Sequence, residues 1–405
     1  MDQRVIFHVD VNSAYLSWEA VHRLRDLGEE TDLRTIPAII GGDESLRHGI
    51  VLAASIPAKR LGIRTAQTVR EAVTKCLNLR ICRPDHSMYQ QYSRAFIEEA
   101  LNFSPILEQY SVDEAFLDMT ETIHAYKSPV EAAYLLKNQI RDKLGFTVNI
   151  GIGSNKLLAK MASDFEKPDK VHTLFPEEVP QKMWPLPVRE LFLVGKATQK
   201  KLEMLGIRTI GELAGLDLSM LKAHVGNKYG QRLYDYARGI DLSPVESQES
   251  LNKGYGNSTT LPKDLSDLQE IDHVLISLAE TVALRLRKDG VKSSCICVEI
   301  KDTGFRRRTH QRKLLVPTDI TEEIAQIAKE LYRENYKGIS VRLLGIRATE
   351  ISEKEFVQMG MFDQEKREKL ERLDRALDEI RGKYGSGAIQ RASFLEKNQK
   401  ADQEK

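Results

Sequence analysis

Two adjacent carboxylates set among strand-forming residues constrain this chain more than any other feature: Tyr110-Ser111-Val112-Asp113-Glu114-Ala115-Phe116-Leu117-Asp118. Successive residues of a flat strand point to opposite faces. Asp113 and Glu114 therefore serve one site only where the chain bends between two short strands, as at a hairpin. Carboxylates held so close repel each other unless a cation sits between them. Alone, the pair reads as a solvated turn; a third carboxylate changes that. Residues 4–11 read as a buried strand rich in β-branched and aromatic residues. Asp10 falls at its C-terminal end, where open α/β sheets place their chemistry. Asn12 and Ser13 are placed to cap a helix opening at Ala14, which would set an anion-attracting helix start beside Asp10.

A chain of 405 residues can bury a large core and is expected to form several domains. With 41% hydrophobic and 29% charged residues, its composition is that of a soluble globular protein. A net charge of +1 declares no nucleic-acid partner, so only the distribution of charge is informative. Cys76, Cys82, Cys295 and Cys297 show neither zinc-type spacing nor a disulfide framework, and read as reduced thiols in a cytoplasmic protein. The apolar run at the start is too short for a signal peptide or a membrane span.

Strands are expected near residues 36–40, 51–55 and 147–152, with helices over 86–104 and 129–144 and a helix capped by Ser154. The order points to an α+β sheet domain with helices on one face. Gly41-Gly42-Asp43-Glu44 shares its letters with nucleotide cyclases, but nothing after Glu44 continues that pattern and the run reads as a turn. Pro57, Lys59 and Arg60 open a helix with two cations, a plausible phosphate grip. Lys167-Pro168 leaves a cation exposed on a loop.

From Pro185 onward, short helices alternate with glycines. Val194-Gly195-Lys196 and Gly206 to Leu213 look like a helix-hairpin-helix, whose backbone N–H groups hold DNA phosphates without reading sequence; a weaker copy spans 225–230. After a polar linker comes a βαββαβ-like unit, with ten basic against three acidic residues between Arg285 and Lys313, Arg306-Arg307-Arg308 among them. Spread over a helix end, a strand and a hairpin, that excess reads as a DNA-backbone footprint. Gln358-Met359-Gly360-Met361-Phe362 then interrupts a charged tail, as a docking peptide would; a long charged helix follows over 364–383.

Asp10, the Tyr110–Asp118 stretch, and Ala159-Lys160-Met161-Ala162-Ser163-Asp164 with Lys167-Pro168 resemble the Y-family translesion DNA polymerases, nearest to the bacterial DNA polymerase IV (DinB) branch. The resemblance covers about residues 4–350 with its motifs in family order. It implies an α+β multidomain right hand: palm at 1–11 and 84–175, fingers at 12–83, a helix-hairpin-helix thumb at 176–240, a linker at 241–250, a little finger at 251–350 and a charged tail at 351–405. It also implies catalysis by Asp10, Asp113 and Glu114, which with the Val11 carbonyl would hold two Mg²⁺, or Mn²⁺ in their place. Lys59, Arg60 and Lys167 would grip the triphosphate, and Tyr15 would be the steric gate against ribonucleotides. Gly195, Lys196 and Arg306, Arg307 and Arg308 would bind primer-template DNA. Gln358, Met361 and Phe362 resemble a sliding-clamp motif. The implied enzyme is a monomer without membrane attachment that adds dNTPs at low fidelity without proofreading.

Four positions depart from the family pattern. Ile56 and Lys59 stand where Tyr and Arg are usual, so the triphosphate grip is weaker or shifts to Arg60. Ala14 replaces an aromatic residue, leaving the site more open, and Leu193 replaces a hairpin glycine. Ile56, Lys59 and Leu193 are also the basis for the alternative, a catalytically weak DNA-binding accessory that keeps the fold. A third reading, another two-metal phosphotransferase such as a cyclase, is disfavoured by the thumb and the basic unit.

Overall fold

The computed structural model describes residues 4–42, 49–247, 252–336, 338–353, 361–385, 387–389 and 391. The described residues divide into two compact units, the first made of 4–42 and 49–247 and the second of those from 252 onward.

In the first unit, β1 (Ile6–Val11) leads to α1 (Ala14–Arg25) and then to β2 (Ala38–Gly41) and β3 (Val51–Ala54). Helices α2 (Ile56–Arg60) and α3 (Val69–Lys75) precede β4 (Arg80–Cys82), and α4 (His86–Leu101) leads to the hairpin of β5 (Leu107–Gln109) and β6 (Glu114–Asp118). The long helix α5 (Pro129–Leu144), β7 (Val148–Gly153), α6 (Lys156–Ser163) and β8 (Val171–Leu174) follow. Among the described residues these strands form two sheets, ordered β5-β6-β1-β7-β8 and β3-β2-β4.

The expected bend between two strands is present, and β5 pairs with β6 in antiparallel fashion. Alternation then sorts the large sheet. Phe7, Val9 and Val11 of β1, with Ala115, Leu117, Val148, Ile150 and Ile152, are buried in one core with α1, α4 and α5. Each such large side chain contributes about 1.5–3 kcal/mol of burial free energy. The opposite face carries Ile6 and Phe116, which pack against Ala159 of α6. Helices on one face only was therefore wrong: α6 covers the second face. Glycines in β7 make this possible, since a Cβ on Gly151 would lie 2.0 Å from the Ala159 carbonyl oxygen and 2.3 Å from the Ser163 nitrogen.

Two expected caps differ. The cap of α6 is Asn155, whose side chain accepts from Leu158 N–H, and not Ser154. Ser13 precedes α1 in the left-handed region (φ 51°) and makes no side-chain cap bond. Its hydroxyl instead accepts from Lys59 at 2.7 Å.

Four helices follow: α7 (Lys196–Met204), α8 (Ile210–Gly215), α9 (Leu218–Val225) and α10 (Asn227–Ala237). They share a core with Leu157, Leu158, Met161 and Ala162 of α6, so one helix is packed on both the sheet and the helical segment. The linker is less free than its composition suggests. Val245 is buried, Lys156 donates to the Pro244 carbonyl and to Glu108, and Glu108 accepts the Glu246 N–H.

In the second unit, β9 (Gly254–Leu265), α11 (Leu268–Lys288), β10 (Val291–Asp302), β11 (Arg307–Thr318), α12 (Thr321–Tyr336) and β12 (Val341–Glu353) give the expected βαββαβ order. The strands form one antiparallel sheet, β11-β10-β12-β9. Helices α11 and α12 bury its apolar face, and the other face presents Asn257, Ser258, Glu299, Thr309, Gln311 and Arg347. The long charged helix expected over 364–383 is present as α13 (Met361–Tyr384), and it is docked and not solvated on all sides. Asp374 and Asp378 take Arg287 of α11 at 3.1 and 2.6 Å, Glu371 takes Lys292 at 3.0 Å, and Arg367 takes Glu323 at 2.8 Å. Among the described residues no helix is long and apolar enough to cross a membrane.

Candidate active site

The site follows from the register of β1. Asp10 stands directly opposite Glu114 of β6, while on its other side it faces Asn149 of β7. Asp113 occupies the turn before β6. Its carbonyl accepts the Val11 N–H at 3.0 Å, and its carboxylate accepts the Ser111 hydroxyl at 2.6 Å. One strand end and one turn thus gather the three predicted carboxylates at one end of the sheet.

Two adjoining cavities open there. The first, of ≈ 270 Å³, is lined by Asp10, Val11, Asp113, Tyr15, Lys59 and Thr65 among others. The second, of ≈ 410 Å³, shares Asp10, Val11 and Lys59 and adds Asn12, Arg34 and Lys167. Tyr15 is held by stacking on Tyr89, with ring centroids 4.6 Å apart and planes at 11°. Ile56 and Ala14, two of the departures from pattern, also line these cavities. Arg60 lies outside both linings and is exposed, so the suggested shift of the grip to Arg60 has no geometric support.

Lys167 is not a free loop cation. Its ammonium is bonded to the Asp10 carboxylate and lies 2.7 Å from Asp164. Lys160, on the buried face of α6, lies 2.5 Å from Glu114. Burial pushes the Asp10 carboxyl up, against the pull of Lys167 and then Lys160. Burial likewise raises Glu114, Lys160 opposes it, and the Asp10 and Asp113 charges raise it further. Burial would depress the Lys167 ammonium, but Asp10 and Asp164 outweigh it and hold it above the ordinary lysine value. We take the Asp10–Lys167 pair as charged, since one ammonium serves two carboxylates. Burial, then the Lys167 charge, lowers Lys59. Burial and then Asp113 raise the Tyr15 phenol.

Asp10 is buried and Asp113 and Glu114 are half-buried; carboxylates this close repel one another, and oxygen-only donors suit hard divalent ions. The residues fit such an ion by chemistry and by placement. Among the described residues no three acidic, His or Cys side chains already converge on one point, because Asp10 and Glu114 are each turned onto a lysine.

The other predicted residues lie elsewhere. Gly195 is the residue before α7, with open space where a side chain would be, and Lys196 is exposed beside it. Leu193 keeps the left-handed backbone (φ 74°) that a glycine would adopt freely. In the second unit Arg306 is exposed, whereas Arg307 is paired with Glu299 at 3.0 Å and Arg308 with Asp302 at 3.7 Å. Gln358 falls outside the described residues, as do the side chains of Met361 and Phe362.

Sequence reasoning assigned no role to Lys160, Asp164, Arg34 or Asn149. Lys160 carried a usable signal: a cation on a helix face otherwise formed by Leu157, Leu158, Met161 and Ala162. Asn149 carried the same kind of signal, one polar residue in an otherwise apolar buried strand.

Known proteins resemble this chain along nearly its whole length. The impB/mucB/samB family matches residues 9–164 and its C-terminal domain matches 252–361, while a thumb domain described for DNA polymerase-iota matches 190–241. A DNA polymerase IV of Clostridium acetobutylicum is 43% identical, over 98% of this chain and 100% of its own. One from Moorella thermoacetica is 40% identical over 95% of each chain, and DNA polymerase IV 1 of Bacillus subtilis is 35% identical over 98% of this chain and 94% of its own. Among solved structures, a Y-family DNA polymerase chimera superposes with a TM-score of 0.76 over 86% of this chain and 100% of its own, at 21% identity, a likeness of fold. With near-complete coverage at such identities, this chain belongs to the impB/mucB/samB family of Y-family DNA polymerases, in its DNA polymerase IV branch.

Proposed function

We propose that this DNA-directed DNA polymerase extends primers across damaged template positions by two-metal phosphoryl transfer, at low fidelity and without proofreading. The observation that carries the reading is the meeting of Asp10, Val11, Asp113, Tyr15 and Lys59 around one cavity, with Glu114 in register beside Asp10. The large sheet serves as palm, residues 12–83 as fingers, 176–240 as thumb and 251–350 as little finger.

Asp10, Asp113, Glu114 and the Val11 carbonyl would hold two Mg²⁺, which when bound lower the pKa of the primer 3′-hydroxyl and neutralise the triphosphate and leaving oxygen. Lys167 and Lys59 meet the triphosphate as point charges. Releasing Asp10 and Glu114 from Lys167 and Lys160 frees both carboxylates for cations and Lys167 for phosphate. The Tyr15 ring fills the space a ribose 2′-hydroxyl would need. The uncrowded helix start at Gly195, together with Lys196 and Arg306, Arg307 and Arg308, holds the DNA backbone, where each neutralised phosphate adds to a steep salt dependence. The enzyme works as a monomer in the cytoplasm, and the Gln358–Phe362 peptide docks it to a sliding clamp. Lys59 reaching the cavity, and Leu193 keeping a glycine-like backbone, favour the enzyme over the accessory alternative.

Primer extension with Mg²⁺ on intact and abasic templates tests this. Extension of both by the wild type is the expected result. Extension of neither, with primer-template still bound, would leave the accessory role.

A further inference from the structure

The loop between α6 and β8 carries Lys167, and two side-chain amides pin it on both sides of that residue. Asn149, fully buried in β7, donates through Nδ2 to the carbonyls of Ser163 at 3.0 Å and Glu166 at 2.6 Å. Its Oδ1 accepts the Lys170 N–H at 3.3 Å and Nδ2 of Asn12 at 3.1 Å. Asn12, one residue past β1, in turn accepts at Oδ1 the Asp169 N–H at 2.9 Å and the Thr147 hydroxyl at 3.0 Å.

All four hydrogen-bonding positions of the buried amide are thereby filled. A valine or serine would occupy a sheet interior without that demand, and a buried amide left half-satisfied would be costly. What the pair holds is backbone: the Glu166 carbonyl immediately before Lys167 and the Asp169 N–H just after Pro168. Because Asn149 is also the register partner of Asp10, the strand pair that places the carboxylate places the latch. Lys167 and Asp10 are held to one frame.

We propose that Asn12 and Asn149 are positioning residues for nucleotide binding, a latch that fixes the Lys167 loop so that its ammonium meets the incoming triphosphate. This rests on the reading of Lys167 as a triphosphate ligand given above. A long, flexible lysine side chain reaches a defined point only when its backbone is fixed, and a loose anchor lowers affinity for the nucleotide before it slows the chemical step.

Single-nucleotide insertion by the full chain on primer-template DNA tests the latch, with KM for dNTP and kcat measured separately. The variants are Asn12→Ala, Asn149→Ser, Lys167→Ala and the Asn12→Ala/Lys167→Ala pair. Asn12 is only half-buried, so its variant keeps the test alive if Asn149→Ser does not fold. Asn12→Ala should raise KM for dNTP roughly tenfold, with a smaller change in kcat and unchanged affinity for primer-template. In the Lys167→Ala background the same change should move KM by less than about twofold, because the residue it acts through is gone. An unchanged KM in folded Asn12→Ala, beside a raised one in Lys167→Ala, overturns the latch alone. Effects that multiply in the double variant overturn it too. An unchanged KM in Lys167→Ala removes the triphosphate role and the latch with it.

Discussion

Tyr15 lies flat on Tyr89, ring centroids 4.6 Å apart, and the same Tyr15 ring forms part of the wall of the cavity that Asp10 and Asp113 share. Its position is fixed from behind, because the Tyr89 hydroxyl reaches Glu19 at 3.4 Å. On the proposed reading, a ring packed in this way blocks a larger sugar. Tyr15→Ala should therefore admit ribonucleotides, lowering dNTP-over-rNTP discrimination by roughly a hundredfold, the scale on which a pocket rejects one added group. Competitive insertion assays with paired dNTP and rNTP check this, and unchanged discrimination would refute the gate.

Leu193 adopts φ 74° while its carbonyl accepts the Tyr229 hydroxyl at 2.7 Å. A side chain in that region costs on the order of 1–2 kcal/mol, part of which glycine's larger unfolded-state entropy would offset. Leu193→Gly should thus stabilise the first unit by about 1 kcal/mol or less, whereas Leu193→Ala, which keeps its Cβ, should not. Thermal melts of the two variants separate them. A destabilised glycine variant would mean that packing of the leucine outweighs its strain.

Much of this was legible in the sequence, for identifiable reasons. The carboxylate bend could be read because period-two alternation fails locally at Asp113-Glu114, and the βαββαβ unit because its strands and helices are long and periodic. The cap of α6 could not be settled, since Ser154 and Asn155 both have capping side chains and only the backbone chooses. The lysine partners of Asp10 and Glu114 lie 157 and 46 residues away along the chain. No local pattern encodes such pairings. The helix of α13 was legible over 364–383, but its docking was not: a run of alternating charges reads as solvated until Arg287 and Lys292 are seen to answer it.

That docking gives α13 an acid-sensitive contact. Burial would raise the Glu371 carboxyl, but Lys292 beside it outweighs burial and holds it below the ordinary glutamate value. A depressed carboxylate contributes its stability above the unfolded-state pKa and loses it as pH falls through the folded value. Protection of α13 amides in hydrogen exchange should therefore weaken below about pH 4.5, the region of an ordinary glutamate pKa. Arg287→Ala should release the helix at neutral pH, at a cost of about 3 kcal/mol for the stranded Asp374 and Asp378. Full protection of α13 in that variant would contradict the docking account.

The claim on which the rest depends is that Asp10, Asp113 and Glu114 hold divalent ions together. Titrating Mn²⁺ into the protein bound to primer-template and a non-hydrolysable dNTP, read by electron paramagnetic resonance, counts those ions directly. The account predicts two bound ions in the wild type, and fewer, more weakly held ions in Asp113→Asn. A wild-type complex that binds none, or an Asp113→Asn variant that binds as many as tightly, would contradict it.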